Sequence, residues 1–163
     1  MSGWVSLCAR RTDAAVQQLE ATVEMAPEFV AARWFLGQAY AQDGQFERSI
    51  AQLQEAVRLS EGSPRMLADL GHVYAVSGQR ARALEILKSL DQSAASGRFV
   101  SPYARAVLQA GLGNRDQAFS ALESALQGGL WEIVNLKVDP MLVSLHEDPR
   151  FRQLVRRLGL ATE

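Results

Sequence analysis

The chain has 163 residues, the length of one ordinary domain and enough to bury a substantial core. Its 17 basic and 18 acidic residues nearly cancel, so there is no electrostatic footprint for nucleic acid or an anionic membrane. No run of about 18 apolar residues is present to cross a bilayer and the N-terminus lacks a secretion signal; the single cysteine, Cys8, has no companion for a disulfide or a metal site and reads as a small buried hydrophobe.

Taken in chain order, residues 1–26 read as a helical hairpin lacking its front. Residues 1–10 would be the last turns of a first helix, with Trp4 and Leu7 on its apolar side. Thr12 or Asp13 would cap the second, which carries Ala15, Leu19 and Thr22. Residues 27–63 form the most regular unit, with Leu36, Gly37, Tyr40, Gly44, Phe46, Ile50, Leu53, Ala56 and Leu59. Residues 64–98 answer with Leu67, Leu70, Gly71, Tyr74, Gly78, Ala83, Leu87 and Leu90, so Gly37 and Gly71, like Gly44 and Gly78, lie 34 residues apart. A glycine within a helix costs about 1 kcal/mol relative to alanine, so Gly37 and Gly71 predict close helix approach, with Ala56 and Ala83 as the small residues facing them. Gly44 and Gly78 fall where one helix stops and an antiparallel one begins.

Ser63-Pro64 and Ser101-Pro102 each place a capping hydroxyl before a first-turn proline. Residues 91–97 are small and polar and read as a loop or frayed helix end. In residues 99–127 the second helix is recognisable, because Gly113, Ala118, Leu122 and Ala125 repeat the offsets of Gly44, Ser49, Leu53 and Ala56. The first helix of that unit has Arg105 and Gln109 where large apolar residues are expected, so it is either rotated or poorly packed. Periodicity stops after Gln127. Residues 128–163 read as a cap of short helices, one over residues 131–136 and others starting at Asp139-Pro140 and Asp148-Pro149. The last carries an apolar stripe of Phe151, Leu154, Val155 and Leu158, with Arg150, Arg152, Arg156 and Arg157 for its wet side.

The 34-residue period with its Leu-Gly pairs and following tyrosines resembles the tetratricopeptide repeat. Trp34 stands one residue later than that family's usual tryptophan. The resemblance implies an all-α fold, a tetratricopeptide-repeat αα-hairpin superhelix or solenoid in one domain, with the C-terminal helices covering its last apolar edge. The segments Phe99-Val100-Ser101-Pro102-Tyr103, Leu136-Lys137-Val138-Asp139-Pro140, Asp148-Pro149-Arg150-Phe151 and Leu158-Gly159-Leu160 are similar, more narrowly, to the C-terminal repeat region of bacterial winged-helix regulators, serine/threonine kinases and nucleotide cyclases. That likeness implies a protein-interaction scaffold at the sensory end of a bacterial signalling or transcription regulator. It carries over no catalytic or DNA-reading residue.

In tetratricopeptide arrays the first helix of each hairpin lines a concave groove. The ligand-facing positions correspond here to Ala31, Trp34, Gln38 and Gln42, then Arg65, Ala68 and His72, then Tyr103 and Val107. This implies a mostly apolar, amide-rich groove for a peptide or partner protein, in which Trp34→Ala and His72→Ala weaken binding without unfolding the array. Trp34 and Tyr103 fit packing between helices equally well. The clamp with which some members hold an acidic chaperone tail is replaced by Trp34, Gln38, His72, Val100 and Ala104. No catalytic set can be assembled, because Ser63 and Ser101 are assigned to caps and Asp148 of His146-Glu147-Asp148 precedes a proline. Gly111-Leu112-Gly113 ends a helix instead of cradling a phosphate. No enzyme activity, cofactor or metal is expected. The alternative reading is a self-association module, a homodimer through the apolar edge of the front hairpin, and a third is the accessory fragment of an enzyme. The default compartment is the cytoplasm.

Overall fold

Gly44 and Gly78 stop their helices in the left-handed backbone region, at φ 72° and 84°, where a side chain would be strained. The computed structural model describes residues 12–160, with side chains from Val16 onward. The expectations for residues 1–10 and for Cys8 lie outside the described residues, and that of a cap at Thr12 or Asp13 rests on side chains outside them. The described helices are α1 (Thr12–Met25), α2 (Val30–Gln42), α3 (Phe46–Leu59), α4 (Pro64–Val76), α5 (Arg80–Ala95), α6 (Pro102–Gly111) and α7 (Arg115–Gln127). Two short 3-10 helices follow, Trp131–Asn135 and Pro140–Leu145, and then α8 (Pro149–Arg157). Among the described residues every regular element is helical, in an all-α solenoid of antiparallel hairpins.

The pairs α2–α3, α4–α5 and α6–α7 are the hairpins, and α1 packs on α2. α4 packs against α5 and equally against α6, so α2, α4 and α6 form the inner layer while α1, α3, α5 and α7 form the outer one. The second 3-10 helix crosses this inner layer to touch both α6 and α2, and α8 rests on α7. Leu136, Leu142 and Leu145 of this tail are fully buried and share one core with Val107, Phe119 and Leu122. At about 25 cal/mol per Å² of apolar area, such burial makes the tail an integral layer of the fold. Its outer side is tied by Arg150 to Asp116 at 2.7 Å and by Arg157 to Glu123 at 2.6 Å. Arg152 and Arg156 face water.

Several local expectations are revised. The glycine contacts are with larger residues than Ala56 and Ala83: a Cβ at Gly37 would lie 2.6 Å from Leu53 Cγ, and one at Gly71 2.6 Å from Leu108 Cδ1. Glycine at these sites leaves room for leucine knobs. Ser63 makes no side-chain cap, its backbone N–H donating instead to Ser60 Oγ at 3.3 Å, whereas Ser101 Oγ does accept from the Tyr103 N–H at 3.2 Å. Residues 91–95 continue α5, and Gly97 at φ 87° follows its last turn. α6 is well packed: it buries Tyr103, Ala104, Ala106, Val107, Leu108 and Ala110. Arg105 escapes that interior by pairing with Asp91, and Gln109 Oε1 accepts from Asn114 Nδ2 at 2.8 Å. Of the two alternatives for this helix, rotation of its polar positions outward is the one seen.

Candidate partner-binding site

The concave side of the inner layer is closed by the chain itself. Pro140 begins the second 3-10 helix because its ring is pre-set for a helical first turn, and Asp139 Oδ1 caps that helix by accepting the Met141 N–H at 2.9 Å. Each inner helix sends one side chain to this point. Gln42 of α2 donates to the Pro140 carbonyl at 3.0 Å, Arg65 of α4 donates to Asp139 Oδ2 at 2.9 Å, and the Tyr103 hydroxyl of α6 donates to the same oxygen at 2.9 Å. Asp139 is 2 % exposed. A carboxylate removed from water to this extent requires compensation by charge and hydrogen bonds, and Arg65 of α4, Tyr103 of α6 and the Met141 N–H supply it.

A second carboxylate lies behind the first. Asp69 Oδ2 accepts from Trp34 Nε1 at 2.5 Å and from Gln38 Nε2 at 2.7 Å, and its other oxygen lies 3.4 Å from Arg65 Nη2. Arg65 thus bridges Asp69 and Asp139, with its guanidinium 5.0 Å from the Tyr103 ring centre and 5.6 Å from that of Trp34. Burial pushes the Asp69 carboxyl up to about 6; Arg65 opposes that shift and Asp139 adds to it. Burial, and then Asp139, also push the Tyr103 hydroxyl well above its ordinary range, so it stays a donor.

This arrangement has a pH consequence. An unfolded aspartate loses its proton near 3.8 and folded Asp69 near about 6, so between these values only the folded chain retains it. The contribution of Asp69 is therefore fully favourable below 3.8 and is lost as pH rises through that window. Asp69→Asn, which keeps an acceptor for Trp34 and Gln38, should gain stability relative to the natural chain as pH rises from about 4 to about 7. Urea unfolding at a series of pH values measures this; parallel curves for the two proteins would contradict it.

The residues assigned to the groove are divided by this closure. Gln38, Ala68, Tyr103 and Val107 are fully buried and His72 nearly so, whereas Ala31, Trp34, Gln42 and Arg65 keep partial exposure. His72 Nδ1 lies 2.9 Å from the Val107 carbonyl, so the imidazole donates there, and burial lowers its pKa even though this bond opposes the shift. The expectation that His72→Ala spares the array is therefore revised, since the ring joins α4 to α6. Thermal melts should show His72→Ala destabilised by about 1–3 kcal/mol, the cost of an orphaned carbonyl. Trp34 is tied to Asp69 and lies against Phe35 with ring centres 4.9 Å apart, so it both packs and borders open space.

What remains open is a pocket of about 360 Å³ at the mouth of the closed groove. Its walls are Trp34, Phe35, Met66, Tyr103 and Trp131, and its polar groups come from Ser63, Arg65, Glu132, Asn135 and Asp139. Trp131, in the first 3-10 helix, is 75 % exposed. Glu132 beside it is held by the Ser101 hydroxyl, which donates to Glu132 Oε2 at 2.5 Å. Phe35, Met66, Asp69 and the whole 131–139 contribution are absent from the positions inferred by resemblance. The available signal was an aromatic residue, Trp131, in a tail without helical periodicity. Among the described residues no group of three or more His, Cys, Asp or Glu is placed to hold a metal ion, and no helix is long and apolar enough to cross a membrane.

Two family models, each described as tetratricopeptide repeat, match residues 3–64 and 41–110. No curated protein matches the chain. Tetratricopeptide repeats generally mediate protein–protein interaction and typically act as non-catalytic scaffolds. With the two overlapping matches, the hairpin geometry and the glycine-paced helix ends, the chain belongs to the tetratricopeptide repeat family.

Proposed function

We propose that the chain binds a partner protein or peptide at the mouth pocket between α2, α4 and the first 3-10 helix, with the groove centre serving as structure. The observation that carries this is the exposed Trp131 indole, which lines the pocket together with Trp34 and Met66, because large aromatic groups at a preformed pocket are the usual energetic anchors of an interface. Peptides selected against the domain from a displayed library should lose affinity about tenfold or more with Trp131→Ala, while its melting temperature is unchanged. Peptides whose affinity is untouched by both Trp131→Ala and Met66→Ala would overturn this placement.

The tail segments noted above support a finer version, in which the domain is the interaction end of a bacterial signalling protein or transcription regulator. A second reading, association of two copies through the front hairpin, has in its favour that Met25 and Phe29 are 80 % and 53 % exposed beside the α1–α2 turn. Sedimentation separates the two, since a strict monomer at high concentration removes the dimer.

A further inference from the structure

The pocket combines apolar walls with an excess of acceptors. Among the described residues lining it or lying directly behind it are three carboxylates, Asp69, Glu132 and Asp139, and one guanidinium, that of Arg65. Arg65 forms ion pairs through Nη2 with Asp69 and Asp139 while its Nη1 has no hydrogen-bond partner, and no ion pair joins it to Glu132, so the pocket's one cation leaves that carboxylate unpaired. Glu132 is only half-buried, and the Ser101 hydroxyl fixes one of its oxygens. The site is therefore a positioned carboxylate at the edge of an aromatic slot.

We infer that the pocket takes a basic side chain, lysine or arginine, from an otherwise apolar stretch of partner peptide. This inference rests on the pocket reading above and adds its charge. An acidic side chain would meet Glu132 at close range, and a purely aliphatic one would cover the Glu132 carboxylate with only the Ser101 hydroxyl to compensate it. Lysine and arginine avoid both penalties. Their methylene stems lie along apolar surface while their heads seek charge. Trp34 and Met66 offer the surface, Glu132 the charge and Trp131 an aromatic face for the cation.

The test uses four blocked tripeptides, alanine on either side of arginine, lysine, leucine or aspartate, titrated into the full chain while the indole N–H signals of Trp34 and Trp131 are followed by NMR. The arginine and lysine peptides should shift both indoles saturably and bind about tenfold more tightly than the leucine peptide, the scale of one charge-assisted hydrogen bond. Glu132→Gln, which retains an acceptor for Ser101, should remove most of that preference, and added salt should erode it. Trp131→Ala should weaken every peptide. Leucine or aspartate binding as tightly as arginine, or an unchanged preference in Glu132→Gln, would overturn the inference while leaving the pocket reading intact. Failure of all four peptides to move either indole would overturn both.

Discussion

Asp139→Ala should destabilise the domain by about 3–5 kcal/mol, the cost of removing one partner from a buried ion pair. The carboxylate holds Arg65, the Tyr103 hydroxyl and the Met141 N–H simultaneously. Without it, Arg65 is left with the longer 3.4 Å contact to Asp69, and the second 3-10 helix loses its cap. Asp139→Asn separates charge from hydrogen bonding, because the amide oxygen can still accept from Met141 or Tyr103 and Arg65 still has Asp69. Its cost should be nearer 1 kcal/mol, that of a hydrogen bond. Chemical denaturation of both variants checks the pair. Equal small losses for alanine and asparagine would mean that the carboxylate does not hold the tail.

The second large effect is expected at Gly111, where α6 lies close against the α4 backbone. A Cβ there would lie 2.7 Å from His72 Cα and 2.8 Å from His72 Nδ1. The first of these is backbone and cannot rotate away, so α6 must shift and strain the His72–Val107 bond. Alanine's better helix propensity returns about 1 kcal/mol, and overpacking should still leave Gly111→Ala destabilised by about 1–3 kcal/mol. Gly113→Ala is the control. It has open space around its Cβ but φ 78°, so it should cost only the left-handed strain of about 1–2 kcal/mol. The two differ in one readout: in Gly111→Ala the imidazole signals of His72 move, and in Gly113→Ala they stay.

The sequence makes the periodic part of this architecture legible. Gly44 and Gly78 mark helix ends by their spacing, and Asp139-Pro140 and Asp148-Pro149 announce helix starts because the cap and the proline act within two residues. The rest arises over long separations. The Gln42–Pro140 hydrogen bond joins residues 98 apart, and no repeat length relates them. Gln38 is assigned to the groove by resemblance and Asp69 to no site, yet they are 1 % and 0 % exposed because Asp69 accepts from both Gln38 and Trp34. A polar residue satisfied by another polar residue leaves no mark in a hydrophobicity pattern. His72, assigned to the groove by resemblance, is buried for the same reason, its partner being a carbonyl on α6. Asp139 was visible as a cap but not as the ion-pair partner of Arg65.

If the partner binds at the mouth pocket, the tail stays seated in the groove throughout. Amide hydrogen exchange, followed with and without a selected peptide, tests it most directly. Met141 and Leu142, whose N–H groups bond to the Asp139 side chain and carbonyl, should be as protected as the buried helices in the free domain and should remain so when peptide binds. New protection should appear at residues 63–66 and 131–135. Rapid exchange at Met141 and Leu142, or their release when peptide binds, would contradict the account by showing the groove itself to be the site.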